Sequence, residues 1–147
     1  MLTIEVNDRL VLDALRDLKH RVQDMRPVMA GIGQEMVSRV SARFETQSDP
    51  LGHPWAAWKP STVSTYPKDG HGRILDRTGD QLDSLSFQVN RNTVQIGFAQ
   101  PYATFHEFGT QHMPRRGLLF ADPEAGTLSP DDTDSILEIV RGYLASA

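Results

Sequence analysis

The stretch that decides the fold is Leu85-Ser86-Phe87-Gln88-Val89-Asn90-Arg91-Asn92-Thr93-Val94-Gln95-Ile96-Gly97-Phe98. Leu85, Phe87 and Val89 alternate with polar residues into a turn at Asn90-Arg91-Asn92, and Val94, Ile96 and Phe98 alternate back. Side chains two apart share one face of a strand, so the pattern predicts a hairpin with one apolar face that needs a cover. Upstream, Val11, Leu15, Leu18, Val22 and Met25 recur at spacings of four and three, which predicts an amphipathic helix after a cap at Asn7 or Asp8. Pro27 interrupts that pattern and suits the first turn of a second helix, whose buried side is Ile32, Met36, Val40 and Phe44. Gly31 and Gly33 weaken that helix by ~1 kcal/mol each, so close packing is the expected reason for them. Before these helices, Leu2, Ile4 and Val6 alternate as in a half-buried strand.

Downstream of the hairpin, Tyr102-Ala103-Thr104-Phe105-His106-Glu107-Phe108-Gly109 predicts a short helix with Tyr102, Phe105 and Phe108 packed inward and a left-handed stop at Gly109. Pro114 then fixes a turn that aims Arg115 and Arg116 outward, and 117–120 can return as another strand. Ser129-Pro130-Asp131-Asp132 is a helix start, with an N-cap, a first-turn proline and carboxylates at the positive helix end. Ile136, Leu137, Val140 and Leu144 give that last helix its apolar stripe. Thr78-Gly79 precedes a short helical turn carrying Leu82. The segment 46–79 is broken by Pro50, Gly52, Pro54, Pro60, Pro67 and Gly70 and reads as a long loop, in which Trp55 and Trp58 need something to pack against. They anchor either to the chain's own core or to a neighbouring subunit. The expected fold is α+β: a mainly antiparallel sheet with N-terminal helices and a C-terminal helix packed on it, as one domain over 1–147.

Composition narrows the function classes. A domain of 147 residues buries enough surface to need no metal or disulfide staple, and the chain has no cysteine. A net charge of -4 argues against a general nucleic-acid binder. No apolar run approaches the ~20 residues of a membrane span, and the N-terminus lacks the order of a signal peptide, so a soluble, unprocessed protein with no membrane association is expected.

The stretch around His106 resembles chemistry more than it supports it. His106-Glu107 begins the zinc-protease pattern His-Glu-x-x-His, but the residue four after His106 is Thr110, and His112 would sit about 240° around an ideal helix. His53, His71, His106 and His112, with Glu107 or Asp69, lack the spacing of a known metal-ligand set. No Gly-x-Ser-x-Gly elbow occurs, and Gly31-x-Gly33 lacks the third glycine and the lysine of a phosphate loop. A glycosidase carboxylate pair has no specific support. Neither a cofactor nor a metal is expected, and the chain reads as a non-enzyme.

Taken in order, Phe44 with Asp49-Pro50-x-Gly52-x-Pro54-Trp55, then Ile74-Leu75-x-x-Thr78-Gly79-x-x-Leu82, then Tyr102-Ala103-x-x-His106-x-x-Gly109, then Met113-Pro114-Arg115-Arg116-Gly117-Leu118-Leu119, resemble the phage virion morphogenesis family. Those proteins are also called tail completion proteins of Mu-like and related tailed phages and prophages. Order and spacing match over nearly the whole chain. The family's motif usually ends Pro-x-Arg-Pro-Phe, where this chain has Gly117-Leu118, so the backbone after Arg116 is where a difference is expected. The resemblance implies a structural virion component that is assembled in the host cytoplasm and acts at or near the head–tail junction after heads and tails are built. It implies a homo-oligomeric ring, a hexamer or larger, touching other junction or tail proteins. On this reading Pro50, Gly52, Gly79, Leu82, Tyr102, His106, Gly109 and Pro114 hold the backbone.

A ring-former must offer complementary surfaces on opposite edges. Trp55, Trp58, Arg115 and Arg116 are the candidate interface residues, because tryptophan buries large area and arginine makes forked hydrogen bonds. The arginines alternatively pair locally, or touch DNA phosphates non-specifically in a central channel. A tail-associated hydrolase and a DNA-packaging accessory protein are the competing functional readings.

Overall fold

The computed structural model describes residues 9–65, 68, 70, 73–76 and 79–145. The expected strand at Leu2, Ile4 and Val6, the cap at Asn7 or Asp8, and Pro67, Asp69, His71 and Thr78 lie outside the described residues. Helices α1 (Arg9–Gln23) and α2 (Arg26–Thr46) come first, and a four-residue turn α3 (Pro60–Val63) follows. Another four-residue turn, α4 (Asp80–Asp83), leads into strands β1 (Leu85–Val89) and β2 (Val94–Phe98). Helices α5 (Ala103–Phe108) and α6 (Pro130–Ala145) complete the order. The class is α+β, and among the described residues the sheet is the hairpin itself.

Helix α2 is the axis of the molecule, and its apolar stripe is buried as its spacing requires. Ile32, Met36, Val40 and Phe44 are 6, 3, 0 and 0 % exposed. The hairpin lies along α2 in the register Leu85↔Phe98, Phe87↔Ile96 and Val89↔Val94. This divides the core in two. At the N-terminal half of α2, Val28, Ile32 and Met36 meet Val94, Ile96 and the inner face of α6, namely Ile136, Ile139, Val140 and Tyr143. At its C-terminal half, Val40 and Phe44 meet Trp55, Leu75 and Leu118, with Leu82, Leu85 and Phe98 packed around them. The two centres are some ten residues apart on α2, about 15 Å at the helical rise. Gly33 lies on α2 within the first of them, where a Cβ would stand 2.4 Å from the Phe87 ring. The close packing expected of that glycine is therefore real.

Helix α6 starts as its sequence predicts: Ser129 Oγ accepts the Asp132 N–H at 3.2 Å. Its stripe is rotated slightly from the expected one. Leu137 is 41 % exposed, and Ile139 and Tyr143 take its place inward.

Two expectations fail. Helix α1 forms as its spacing predicts but is not packed on the sheet, and it has no buried residue: Leu15, Leu18 and Val22 are 53, 39 and 56 % exposed. The helix leans on the end of α6, where Arg21 donates to the Tyr143 carbonyl at 2.8 Å and Tyr143 Oη donates to the Asp24 carbonyl at 2.7 Å. The second is 117–120, which pairs with no strand. Its backbone N–H groups are claimed by a side chain instead.

The described parts of 46–79 pack around the C-terminal end of α2 through Trp55 and Leu75. Asp49 Oδ1 accepts the N–H groups of Leu51 and His53, closing a turn at Gly52 with Pro50 buried beneath it. Gln47 ties the two ends together, its carbonyl accepting from Trp55 N and its Oε1 from Ile74 N.

Candidate functional site

The residues singled out around His106 converge on one feature, a carboxylate hub. Glu107, 5 % exposed, accepts three successive backbone N–H groups: Leu118 at 2.6 Å and Leu119 at 3.0 Å on Oε2, and Phe120 at 2.9 Å on Oε1. One acidic side chain thus satisfies three consecutive donors, and the backbone bends at Leu118 and Leu119 to aim them at it instead of running on as a strand. Three charge-assisted bonds to fixed amides take three of the roughly four acceptor sites of the carboxylate.

The arginines turn inward, correcting the expectation that Pro114 aims them outward. Arg115 donates from Nε to the Glu107 carbonyl at 2.7 Å and from a terminal nitrogen to the Phe120 carbonyl at 2.6 Å, and stands 3.5 Å from the Glu107 carboxylate. Arg116 is 9 % exposed and donates to the carbonyls of Ala56 and Ala57 at 3.0 and 3.3 Å, while its own N–H reaches the His106 carbonyl at 2.8 Å. One arginine closes α5 onto 117–120 and the other ties that junction to the tryptophan loop. Gly109 has φ 74°, and a Cβ there would meet the Arg115 backbone nitrogen at 3.0 Å. Only a residue without a side chain ends α5 this close to the following turn.

Trp55 completes the junction from the other side. It is 6 % exposed, packs edge-on against Phe44 with ring centroids 5.7 Å apart, and donates Nε1 to the Gly117 carbonyl at 2.9 Å. As a core anchor of its own chain it is not open to a neighbour. Trp58 is half-buried.

Sequence reading missed a second buried ion pair. Arg43 donates to Asp132 Oδ2 at 2.5 Å and to the Leu118 carbonyl at 2.7 Å, and Arg39 stands 3.5 Å from Asp132 Oδ1. The signal was present in the chain: Arg43 lies three residues after Val40 on the buried side of α2, and a charge there requires a partner.

His106 is a packing residue by geometry. Its ring meets Tyr102 edge-on at 6.0 Å, and its Nδ1 is buried without a hydrogen-bond partner among the described residues. Burial, and then the nearby Arg116 charge, lower its pKa to about 4, so the ring is neutral near pH 7. Among the described residues no three His, Asp or Glu side chains gather as metal ligands. No helix there is long and apolar enough to cross a membrane.

The outer face of α5 reverses the expectation for its aromatics. Tyr102, Phe105 and Phe108 are 38, 53 and 47 % exposed, and Ala103 and Glu107 take the inner side. A groove of about 270 Å³ runs beside them, bordered by Phe98, Ala103, Thr104, Phe108, Leu119 and Phe120.

Comparison with known proteins agrees with the motif order. The chain is 28% identical over 144 residues to "Mu-like prophage FluMu G protein 2" of Haemophilus influenzae, covering 97% of this chain and 96% of that protein. It is also 28% identical over 102 residues to "Mu-like prophage FluMu G protein 1" of the same organism, covering 67% and 70% respectively. No solved structure matches it significantly. The model of the phage virion morphogenesis family matches residues 6–145. With that match spanning nearly the whole chain, the protein belongs to the phage virion morphogenesis family and has a structural, morphogenetic role in the virion.

Proposed function

We propose that this chain completes the phage tail and joins it to the head, assembling at the neck as a homo-oligomeric ring, a hexamer or larger, without catalysis. One contrast carries this reading. The polar groups that resemble an active site are consumed in holding backbone, with Glu107 bound to three amides and Arg115 and Arg116 to four carbonyls. Large apolar side chains on α1 and α5 face outward instead. An enzyme holds reactive groups ready for a substrate, whereas an assembly subunit holds apolar surface ready for a neighbour. Ring copies meet each other and the head-side and tail-side proteins above and below, and DNA meets them only non-specifically in the channel.

The test is electron microscopy of particles made by a phage whose copy of this gene is deleted. Free filled heads beside tails of normal length are expected. Tails of abnormal length would instead make the protein a tail terminator. Turnover of peptidoglycan by the purified protein would overturn the non-catalytic reading.

A further inference from the structure

Among the described residues, strands β1 and β2 pair only with each other. Their ladder is bracketed by Asn90 N–H donating to the Thr93 carbonyl at the turn and Ala99 N–H donating to the Ser84 carbonyl at the far end. Antiparallel pairs alternate between bonded and non-bonded, so Leu85↔Phe98, Phe87↔Ile96 and Val89↔Val94 are the non-bonded ones. Their backbone groups point away from the hairpin, those of Leu85, Phe87 and Val89 along one edge and those of Val94, Ile96 and Phe98 along the other. Among the described residues no hydrogen bond reaches either set. Both edges are also unprotected. Neither strand carries a charged residue or a proline, and their five pairs run without a bulge, whereas a sheet meant to stay alone blunts its edges by one of these means.

We propose that the β1 edge of one copy pairs antiparallel with the β2 edge of the next, so that the two-stranded hairpins join into one sheet running round the ring. This deepens the ring reading and rests on it. The hydrogen-bonding pattern selects a second copy as the occupant. Residues opposite each other in a sheet share a face, and on both edges the outward backbone groups belong to the apolar face that α2 covers. Pairing through them sets Leu85, Phe87 and Val89 beside Phe98, Ile96 and Val94 of the next copy, apolar against apolar. Gln88 then meets Gln95 of the next copy on the polar face. A foreign strand would cap one edge and leave the other open. Identical copies joined head to tail cap each β1 edge with a β2 edge, and only a closed ring of them leaves no edge over.

The test uses Val89→Pro for the β1 edge and Val94→Pro for the β2 edge. Each removes an N–H that the hairpin itself does not use, and strand edges tolerate proline. By light scattering the wild type is expected as a ring and each folded variant as a single chain. Rings formed by either variant would sink the interface and leave the ring standing, whereas a wild type that stays single-chain at high concentration would sink both. Amide exchange should be slow at Phe87 and Ile96 in the ring and fast in the single-chain variants; slow exchange in a single chain would mean that the chain covers its own edges, and would overturn the proposal. The cysteine-free chain allows a check that does not depend on the prolines folding. Gln88 and Gln95 are exposed, and between copies they form a non-bonded pair, close enough for a disulfide. Gln88→Cys and Gln95→Cys proteins should therefore be joined by mild oxidation only when mixed. Joining of either alone would show a symmetric contact, and rings that never join would place the interface elsewhere; both refute the pairing.

Discussion

Helices α1 and α2 carry the same kind of apolar stripe and meet opposite fates. Ile32, Met36, Val40 and Phe44 on α2 are at most 6 % exposed, while Leu15, Leu18 and Val22 on α1 are at least 39 % exposed. Among the described residues the cover differs: α2 receives the hairpin on one side and α6 on another, while α1 is met by the end of α6. Helix α5 repeats the contrast within six residues, its inner side filled by Glu107 and Ala103 and its aromatic side left open. Periodicity reports that a face is apolar. It does not report whether the cover is intramolecular.

The sharpest way to break this comparison is to truncate both stripes. Phe44→Ala should cost about 3–5 kcal/mol, because it empties the site where Trp55, Phe98 and Leu118 converge. Chemical denaturation of both proteins gives the number, and a midpoint unchanged from wild type would mean that α2 is not the axis of the core. Glu107→Ala comes next, on the order of 3 kcal/mol, since it strands the amides of Leu118, Leu119 and Phe120. Glu107→Gln should recover part of that loss, and its failure to do so would point to the charge rather than the acceptor.

Gly109→Val should cost about 1–3 kcal/mol through its positive φ, whereas His106→Gln should leave infectivity in a complementation assay largely intact. The reverse order, with a bound metal ion found in the parent, would restore a catalytic reading of α5. His106 also gives a pH signature. Its folded pKa of about 4 lies below the ordinary value of 6.5, so the unfolded chain binds the proton more readily. Stability from this group is fully present above pH 6.5 and falls as pH drops towards 4. Urea midpoints measured across that window should slope for the wild type and flatten in His106→Gln; equal slopes would remove His106 from the account. The smallest effect belongs to α1: Leu15→Ala should change monomer stability by less than about 0.5 kcal/mol. A loss comparable to that of Phe44→Ala would show that α1 is covered by its own chain after all.

Much of this molecule is local and so was legible in the chain. The hairpin register follows from a period of two and a tight turn. The start of α6 follows from Ser129-Pro130, and the crowding at Gly33 from a glycine on a buried helical side. These features depend on residues within one or two turns of each other. The destinations of polar groups over long separations were not legible: Glu107 to 118–120, Arg116 to Ala56 and Ala57, Arg43 to Asp132, and Trp55 to Gly117. An arginine after a proline reads as outward because turns are usually solvated, yet here the carbonyls of Ala56, Ala57, Glu107 and Phe120 lie within reach of the two guanidinium groups. The sequence alone determined the long helices and the hairpin, which sides of them are apolar, and the family. Tertiary structure decided which of those apolar sides the chain covers for itself, because cover is a property of what two distant segments place in the same space, and no local spacing encodes it.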